Sequence, residues 1–371
     1  MSTVRMYLAL PCLCFLSLLG PIAAAAGDGG VPKLPEGNAA VEISVQDDPA
    51  GPARPLTVYL RYPRAKLANV SATTGVMLDL HNWGGVSFDG APAPETLAAT
   101  FNVVAIGVKY YQSGDRDDPK DPVPYDFGYL QTMDALRGLH YVYQGLKDAG
   151  HPFDATRIYG AGGSGGGNVI QMANKFAPRT FACIVDLSGM ARLTDAAAYH
   201  LPGGGSLNAR YSRDPASPAF LTKGMQEIRD LGNPAHLALA AKWGNRCKVV
   251  VIHGADDTAC LATDNRAVVD AMRAAGLDVD AHFIAKADVD GKLIRNSGHS
   301  LGDRTRLLMH FAGAYLSPTS EKVCRLAGPC DFDRRETITY PTSDGAYTIS
   351  YAKGLPAISF TKTARTTKET Q

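Results

Sequence analysis

Segments with the pattern of buried β-strands alternate with segments that have the pattern of helices along most of this chain. Short apolar runs bounded by loop residues indicate strands that are covered on both faces. Apolar residues at spacings of three and four indicate helices. This alternation is typical of a mostly parallel sheet flanked by helices. The predicted strands are 57–62, 75–80, 103–108, 157–159, 182–187, 249–253 and 282–285, and the predicted helices are 131–146, 168–176, 264–275 and 304–316.

The composition places the chain among globular proteins. Of its 371 residues 45% are hydrophobic and 20% charged, which excludes a disordered, collagen-like or coiled-coil chain. Lys and Arg total 37 against 36 Asp and Glu, so no strong field of either sign exists to hold nucleic acid or an anionic membrane. We therefore expect neither as a partner.

The amino terminus has the pattern of a secretory signal peptide. Arg5 precedes an apolar run, and Ala23 to Ala26 supply small residues for cleavage. The run is short and interrupted by Pro11 and Pro21, which disfavours a membrane span. We expect residues 1–26 to be removed, 27–40 to be a loose lead-in, and the mature protein to be secreted or periplasmic.

Two later segments depart from the alternation. Residues 194–245 form a long polar insertion, predicted to be either a partial lid over a site or a surface excursion. Beyond residue 318 the composition changes, and 319–371 is predicted to be an extension with a β-hairpin and a frayed tail. In an oxidising compartment Cys324 and Cys330 are expected to form a disulfide across a short turn. No cysteine has the spacing of a metal site, so no metal is expected. No cofactor is expected either.

The most specific chemical pattern lies where the predicted strand at 157–159 meets the helix at 168–176. Gly162-x-Ser164-x-Gly166 matches the nucleophile elbow, in which a serine stands at the apex of a sharp turn. Glycines two positions before and after the serine are needed where a Cβ would collide with the neighbouring strand and helix. The free N–H groups of a helix that begins at the serine face any oxyanion formed there.

An acid and a histidine follow later strands. Asp257 comes after the apolar strand that ends at His253, and Asp256 is the alternative carboxylate. His299 lies in a loop of small residues just before the last predicted helix. A carboxylate that orients a histidine, which in turn activates Ser164, is the arrangement that nucleophilic catalysis needs.

A fourth motif, His81-Asn82-Trp83-Gly84-Gly85, follows the strand at 75–80. Backbone N–H groups of Trp83, Gly84 and Gly85, with that of Gly165, are predicted to form an oxyanion hole. Tyr110 and Tyr111 follow another core strand and, with Trp83, are candidates to line a substrate cleft; packing is the alternative role.

The same glycines match a competing pattern. Gly160-x-Gly162-x-x-Gly165 fits a dinucleotide fingerprint, with Asp186 at about the right distance for a ribose hydroxyl. That interpretation, an oxidoreductase, leaves the Asp257 and His299 motifs unexplained and conflicts with secretion.

In this order and these contexts the four motifs resemble the α/β-hydrolase superfamily, over roughly residues 41–318. The elbow is similar to those of dienelactone hydrolases, secreted polysaccharide esterases and prolyl oligopeptidases. The resemblance implies an α/β-hydrolase fold, Ser164 as nucleophile and Asp257 and His299 as its triad partners. Prolyl oligopeptidases carry an oxyanion tyrosine where this chain has Trp83, and no propeller is expected here, which disfavours a peptidase.

The predicted function is a secreted serine hydrolase that cleaves a carboxylic ester through an acyl-enzyme, with a small-molecule or polysaccharide-linked ester as substrate. A prolyl-oligopeptidase-like peptidase is the alternative. A non-catalytic extracellular binding protein on the same fold is a further one, which the complete set Ser164, Asp257 and His299 disfavours.

Overall fold

The computed structural model describes residues 22–23, for which only the backbone is considered, and 31–47, 51–114 and 123–363. Most of the predicted signal peptide, residues 27–30 of the predicted lead-in and residues 364–371 of the predicted frayed tail lie outside these ranges, whereas 22–23 and 31–40 lie within them. No described helix has both the length and the apolar character required to cross a bilayer.

A nine-stranded sheet organises the described residues. Its spatial order is β1-β2-β3-β5-β4-β6-β7-β8-β9. Strands β4 to β9 run parallel to one another, whereas β3 is antiparallel to both β2 and β5. The strands are Ile22–Ala23 (β1), Ala39–Val45 (β2), Arg54–Arg61 (β3), Gly75–Leu80 (β4), Val103–Val108 (β5), Ile158–Gly163 (β6), Cys183–Leu187 (β7), Lys248–Gly254 (β8) and Val279–Ile284 (β9).

Helices cover both faces of this sheet. Apolar residues of α2, α3, α6 and α7 belong to the core on one face, and those of α1 and α8 to the core on the other. The helices are Pro94–Phe101 (α1), Tyr129–Asp148 (α2), Gly165–Phe176 (α3), Asp195–Ala198 (α4), Lys223–Arg229 (α5), Pro234–Lys242 (α6), Ala262–Ala274 (α7), Arg304–Leu316 (α8) and Asp331–Arg334 (α9), with 3₁₀ turns at Pro63–Ala65, Leu67–Asn69 and Lys286–Asp288.

Beyond α9 the chain forms a separate antiparallel sheet of three strands, Thr337–Thr342 (β10), Gly345–Ser350 (β11) and Ala357–Lys362 (β12). The first two are the predicted hairpin, and β12 adds a strand where a loop and the start of the frayed tail were expected. Ile338, Tyr340 and Ile349 join the core on the α2 and α3 face. The extension is therefore packed onto the main sheet through its apolar side chains.

The insertion divides into two parts. Ala197, Ala209 and Leu221 pack with Met190 and Cys260 in a small apolar cluster at the carboxyl ends of the strands. Helices α5 and α6 instead contribute Ile228 and Leu237 to the core shared with β10 and β11.

The predicted disulfide between Cys324 and Cys330 is not formed, and all five cysteines in the described ranges are free. Cys330 is buried in the core on the α2 face, whereas Cys324 packs against the core on the α8 face. The short turn between them crosses from one face of the sheet to the other, which a sequence spacing does not reveal.

Candidate active site

Ser164 stands alone between β6 and α3, at the carboxyl end of the parallel strands. Its backbone has φ 55° and ψ −117°, a conformation that L-residues rarely adopt and that marks a strained turn. A Cβ on Gly162 would lie 2.2 Å from the carbonyl oxygen of Gly166, and one on Gly166 would lie 2.2 Å from that of Leu80. The turn therefore closes only with glycine at both positions, and it projects the serine out of the sheet edge.

Two hydrogen bonds connect Ser164 to the predicted histidine and acid. His299 Nε2 lies 3.0 Å from Ser164 Oγ, and His299 Nδ1 lies 2.8 Å from Asp257 Oδ2. With Nδ1 donating to the carboxylate, Nε2 is left to accept the serine proton. The structure thus brings together three side chains that are 135 and 42 positions apart in the chain.

The Asp257 carboxylate is buried and held from several sides. Oδ1 accepts the N–H groups of Ala259 and Cys260 at 2.8 and 3.0 Å, and His253 Nε2 lies 3.2 Å from Oδ2. Burial acts to raise the pKa of Asp257, but hydrogen bonds from His253 and His299 outweigh it and hold that pKa well below its usual range. The carboxylate is therefore ionised at neutral pH and accepts the Nδ1–H of His299.

Asp256, the alternative carboxylate, anchors the histidine loop instead. Ser297 Oγ donates to Asp256 Oδ2 at 2.6 Å, and the Asp256 N–H donates to the Ser297 carbonyl at 2.8 Å. A Cβ on Gly254 would lie 2.2 Å from the carbonyl oxygen of Gly298, so the end of β8 and this loop are in direct backbone contact. These contacts place His299 over the sheet edge.

The loop after β4 brings a backbone N–H to the first turn of α3. A Cβ on Gly165 would lie 2.7 Å from the Trp83 nitrogen, so the two residues approach closely. Neither amide donates a hydrogen bond to another group in the part of the chain that the structure describes. The Gly85 N–H donates to Asn82 O at 3.0 Å and is engaged in the turn, while Gly84 turns the loop with φ 71°. The Trp83 and Gly165 amides are thus two neighbouring backbone donors with no acceptor among the described residues.

His81 and Tyr110 hold this loop through hydrogen bonds and ring stacking. His81 Nδ1 donates to Asn82 O at 2.8 Å, and Nε2 lies 2.7 Å from Ser113 Oγ. Burial lowers the pKa of His81 to about 4, so the ring is neutral and Nε2 accepts the Ser113 proton. Tyr110 stacks on this ring with centroids 3.9 Å apart and donates from its hydroxyl to the His81 carbonyl. The buried Tyr110 has the packing role that the sequence left as an alternative.

Of the other two aromatic candidates, Trp83 is the one placed at the elbow. Its ring stacks on Tyr125 with centroids 3.5 Å apart and planes 7° apart. The Tyr111 N–H donates to Asp134 Oδ2 at 3.0 Å, which fixes its backbone against α2. The Trp83 indole ring thus packs on Tyr125, and the group of Trp83 that lies next to Gly165 is the main-chain amide.

Two neighbours of the triad were not predicted. His253, at the end of β8, places Nε2 2.8 Å from the Cys260 carbonyl and close to Asp257. Cys260 is buried three positions after Asp257, and burial raises the pKa of its thiol well above the usual value. His253 was detectable in principle, since it ends a core strand four positions before the predicted acid.

Asp186 does not have the placement that a dinucleotide site needs. It is buried beneath the first turn of α3, where it accepts hydrogen bonds from Gln171 Nε2 at 2.7 Å and from the Gly189 N–H at 2.8 Å. No group of three or more His, Cys, Asp or Glu residues with the geometry of a metal site occurs in 31–47, 51–114 or 123–363.

A profile for a family of proteins of unknown function, DUF2920, matches residues 204–354. No curated protein matches the sequence. Among solved structures, the chain is similar to the Pyrococcus horikoshii acylaminoacyl peptidase, with 14% identity, a TM-score of 0.50, and 77% of this chain and 43% of that chain covered.

Two further structures show lower scores. A Mycobacterium tuberculosis puromycin-hydrolyzing peptidase has 16% identity and a TM-score of 0.48, covering 76% of this chain and 41% of that one. A carboxyl esterase from the fungus Tuber melanosporum has 14% identity and a TM-score of 0.45, covering 77% and 86%. The chain spans about two fifths of the length of the peptidases that it matches. The predicted fold is confirmed: the main parallel sheet with its helices and the separate antiparallel sheet match the fold of the acylaminoacyl peptidase.

Proposed function

We propose that this protein with an α/β-hydrolase fold is a serine hydrolase that cleaves carboxylic esters through an acyl-enzyme. The observation that carries the proposal is the continuous hydrogen-bonded chain from Ser164 Oγ through His299 to Asp257, at 3.0 and 2.8 Å. Ser164 is the nucleophile, His299 the general base and Asp257 the group that orients and stabilises the imidazole.

The reaction follows from this placement. Ser164 Oγ attacks the ester carbonyl while His299 Nε2 takes its proton, and the Trp83 and Gly165 N–H groups stabilise the oxyanion. The tetrahedral intermediate collapses as His299 returns the proton to the departing alcohol. Water, activated by the same imidazole, then attacks the acyl-enzyme and releases the acid. Since only neutral imidazole accepts a proton, the protonated form of His299 is expected to be inactive.

Two features beside the triad bear on the substrate, and the second, at Trp83, favours an ester over a peptide. A groove of about 490 Å³ lies between the Trp83 loop and the His299 loop, with Asn82, Phe88 and Arg304 among its lining residues. Trp83, which replaces the expected oxyanion tyrosine of peptidases, has its ring committed to Tyr125. Peptide hydrolysis is the second candidate, and the likeness to the acylaminoacyl peptidase is what favours it.

We also propose that the enzyme acts outside the cytoplasm, after removal of residues 1–26.

A fluorophosphonate probe tests the nucleophile directly. The purified protein should be labelled stoichiometrically, and Ser164→Ala should abolish labelling because the reacting oxygen is removed. Ser343→Ala, at an exposed serine of the C-terminal sheet, is the matched control and should be labelled like the wild type. An unlabelled wild-type protein would refute the proposal and favour a binding protein.

A substrate panel then separates the two hydrolase classes. Short acyl esters, acetylated and feruloylated sugars, and Pro-containing peptides are compared by kcat/KM, with Ser164→Ala as the blank. We expect turnover of esters at least 100-fold faster than of peptides. Comparable or faster peptide cleavage would instead identify a peptidase that uses the same triad.

A further inference from the structure

Cys183 and Cys324 meet at the amino end of β7, far from the triad in the sheet. Cys183 is the first residue of β7 and lies opposite Tyr159 of β6 in the register of the parallel strands. The Tyr159 hydroxyl donates to the Cys324 carbonyl at 2.8 Å, and the Cys324 N–H donates to the Tyr315 carbonyl at 2.8 Å. These bonds hold Cys324 against the face of the sheet where α8 packs.

Successive side chains of a strand point to opposite faces of the sheet, and this identifies which cysteine lies on the same face as Cys324. Cys183 belongs to the core on the α8 face, and Cys324 packs against that same core. Cys247 precedes Lys248, the residue opposite Cys183, so its side chain points to the other face and belongs to the other core. Cys330 also lies in that other core. Of the five cysteines in the described ranges, Cys183 is the one that shares a face with Cys324.

The two side chains pack in the same core, and their surroundings differ. The neighbouring Cys183 side chain lowers the pKa of Cys324, while burial raises the pKa of Cys183 well above its usual value. Cys324 is partly exposed, whereas Cys183 is buried. Cys324 is therefore the thiol that reacts first with a dissolved disulfide, and Cys183 is positioned to resolve the product.

We propose that Cys183 and Cys324 form a disulfide when the protein meets a small oxidising disulfide such as glutathione disulfide. The Cys324 thiolate attacks one glutathione sulfur, forming a mixed disulfide and releasing one glutathione thiolate. The Cys183 thiol then loses its proton and attacks the Cys324 sulfur, releasing the second glutathione. Two protein thiols lose two electrons and two protons in total, and one glutathione disulfide is reduced to two glutathione thiols.

This bond would join the segment between α8 and the three-stranded sheet to β7 of the main sheet. Ser164 follows the opposite, carboxyl end of β6, so the disulfide does not touch the triad. The proposal is independent of the catalytic one, and oxidation is expected to raise thermal stability while leaving ester turnover within about twofold.

Trypsin provides a direct test, because it places each of these cysteines in a different peptide. The full-length protein is incubated in glutathione disulfide, alkylated without reduction, digested and analysed by mass spectrometry. We expect peptide 180–192, with Cys183, linked to peptide 323–325, with Cys324. A link from 323–325 to 247–248 or to 326–334 would overturn the assignment, and so would complete alkylation of Cys324.

Variants supply a second readout that does not depend on peptide recovery. The melting temperature of the oxidised wild type should exceed that of the reduced protein by several degrees, since the crosslink constrains the unfolded chain. Cys324→Ser should remove this difference, and Cys330→Ser, the matched control, should keep it. A difference that survives in Cys324→Ser or disappears in Cys330→Ser contradicts the proposal.

Discussion

At the scale of single residues, the Asp257 carboxylate has more donors than a histidine-orienting acid requires. His253 and His299 approach the same oxygen, at 3.2 and 2.8 Å, while two backbone N–H groups occupy the other. His253 also bonds the Cys260 carbonyl, so one buried ring connects the end of β8 to the turn that carries the acid. We interpret His253 as a positioning residue that acts through Asp257.

Substitution of His253 tests this role. His253→Leu removes the Nε2 donor, and kcat for esters should fall about 10–100-fold with little change in KM, because small displacements of a catalytic group are costly. His253→Gln retains an N–H donor near the same place and should recover most of the loss.

His282→Leu, on the adjacent strand β9, is the control and should keep full activity. A purely structural role for His253 would lower the melting temperature of the Leu and Gln variants without changing kcat of the folded fraction.

At the scale of elements, the elbow depends on how closely β4, β6 and α3 approach. The backbone atoms that would meet a Cβ at Gly162 or Gly166 belong to the helix and to the end of β4, neither of which can move independently. Hydrophobic periodicity predicts α3 only from residue 168, since its first three positions are glycines with low helix propensity. Those glycines are present because the turn has no room for side chains.

Gly162→Ala tests this crowding. We expect the variant to lose about 1–3 kcal/mol of unfolding free energy, measured by urea denaturation, or to accumulate as insoluble protein. Gly313→Ala, inside α8 with no atom within 4 Å of the added Cβ, is the matched control and should be slightly stabilised. Equal urea midpoints for Gly162→Ala and the wild type would refute the packing argument.

At the scale of the whole molecule, buried histidines couple stability to pH. Burial lowers the pKa values of His81, His140 and His236 to about 4, below the ordinary value of about 6.5. Between these values the unfolded chain binds protons that the folded protein does not. Their contribution to stability is therefore complete above about pH 6.5 and decreases as the pH falls toward 4.

His236→Gln isolates one such contribution. Its ring Nε2–H donates to the Pro341 carbonyl at 2.8 Å, which glutamine can imitate without titrating. The unfolding free energy of this variant should decrease less than that of the wild type between pH 7 and pH 5. Buried carboxylates with raised pKa values, such as Asp186 and Asp331, make the unfolding free energy rise as the pH falls. Because the wild type and the variant share these carboxylates, their effect cancels in the comparison. His310→Gln, at an exposed site, should retain the wild-type slope.

The sequence by itself determined the features that depend on local patterns. Apolar runs and helical spacings identified the strands that surround the site, and glycine spacing identified the turn at Ser164, because each is encoded within a few residues. Asp257 was predicted from its place after a core strand and His299 from its place in the loop before the last helix, and they lie within hydrogen-bonding distance of each other.

Only the tertiary structure decided which groups share a face or an edge. The strand order places β4 beside β6, which brings the Trp83 amide to Gly165. It also separates Cys330 from Cys324 by the thickness of the sheet, although only five residues lie between them in the chain. Contacts of this kind depend on register and on the face to which each side chain points, and these are set by packing across the whole sheet.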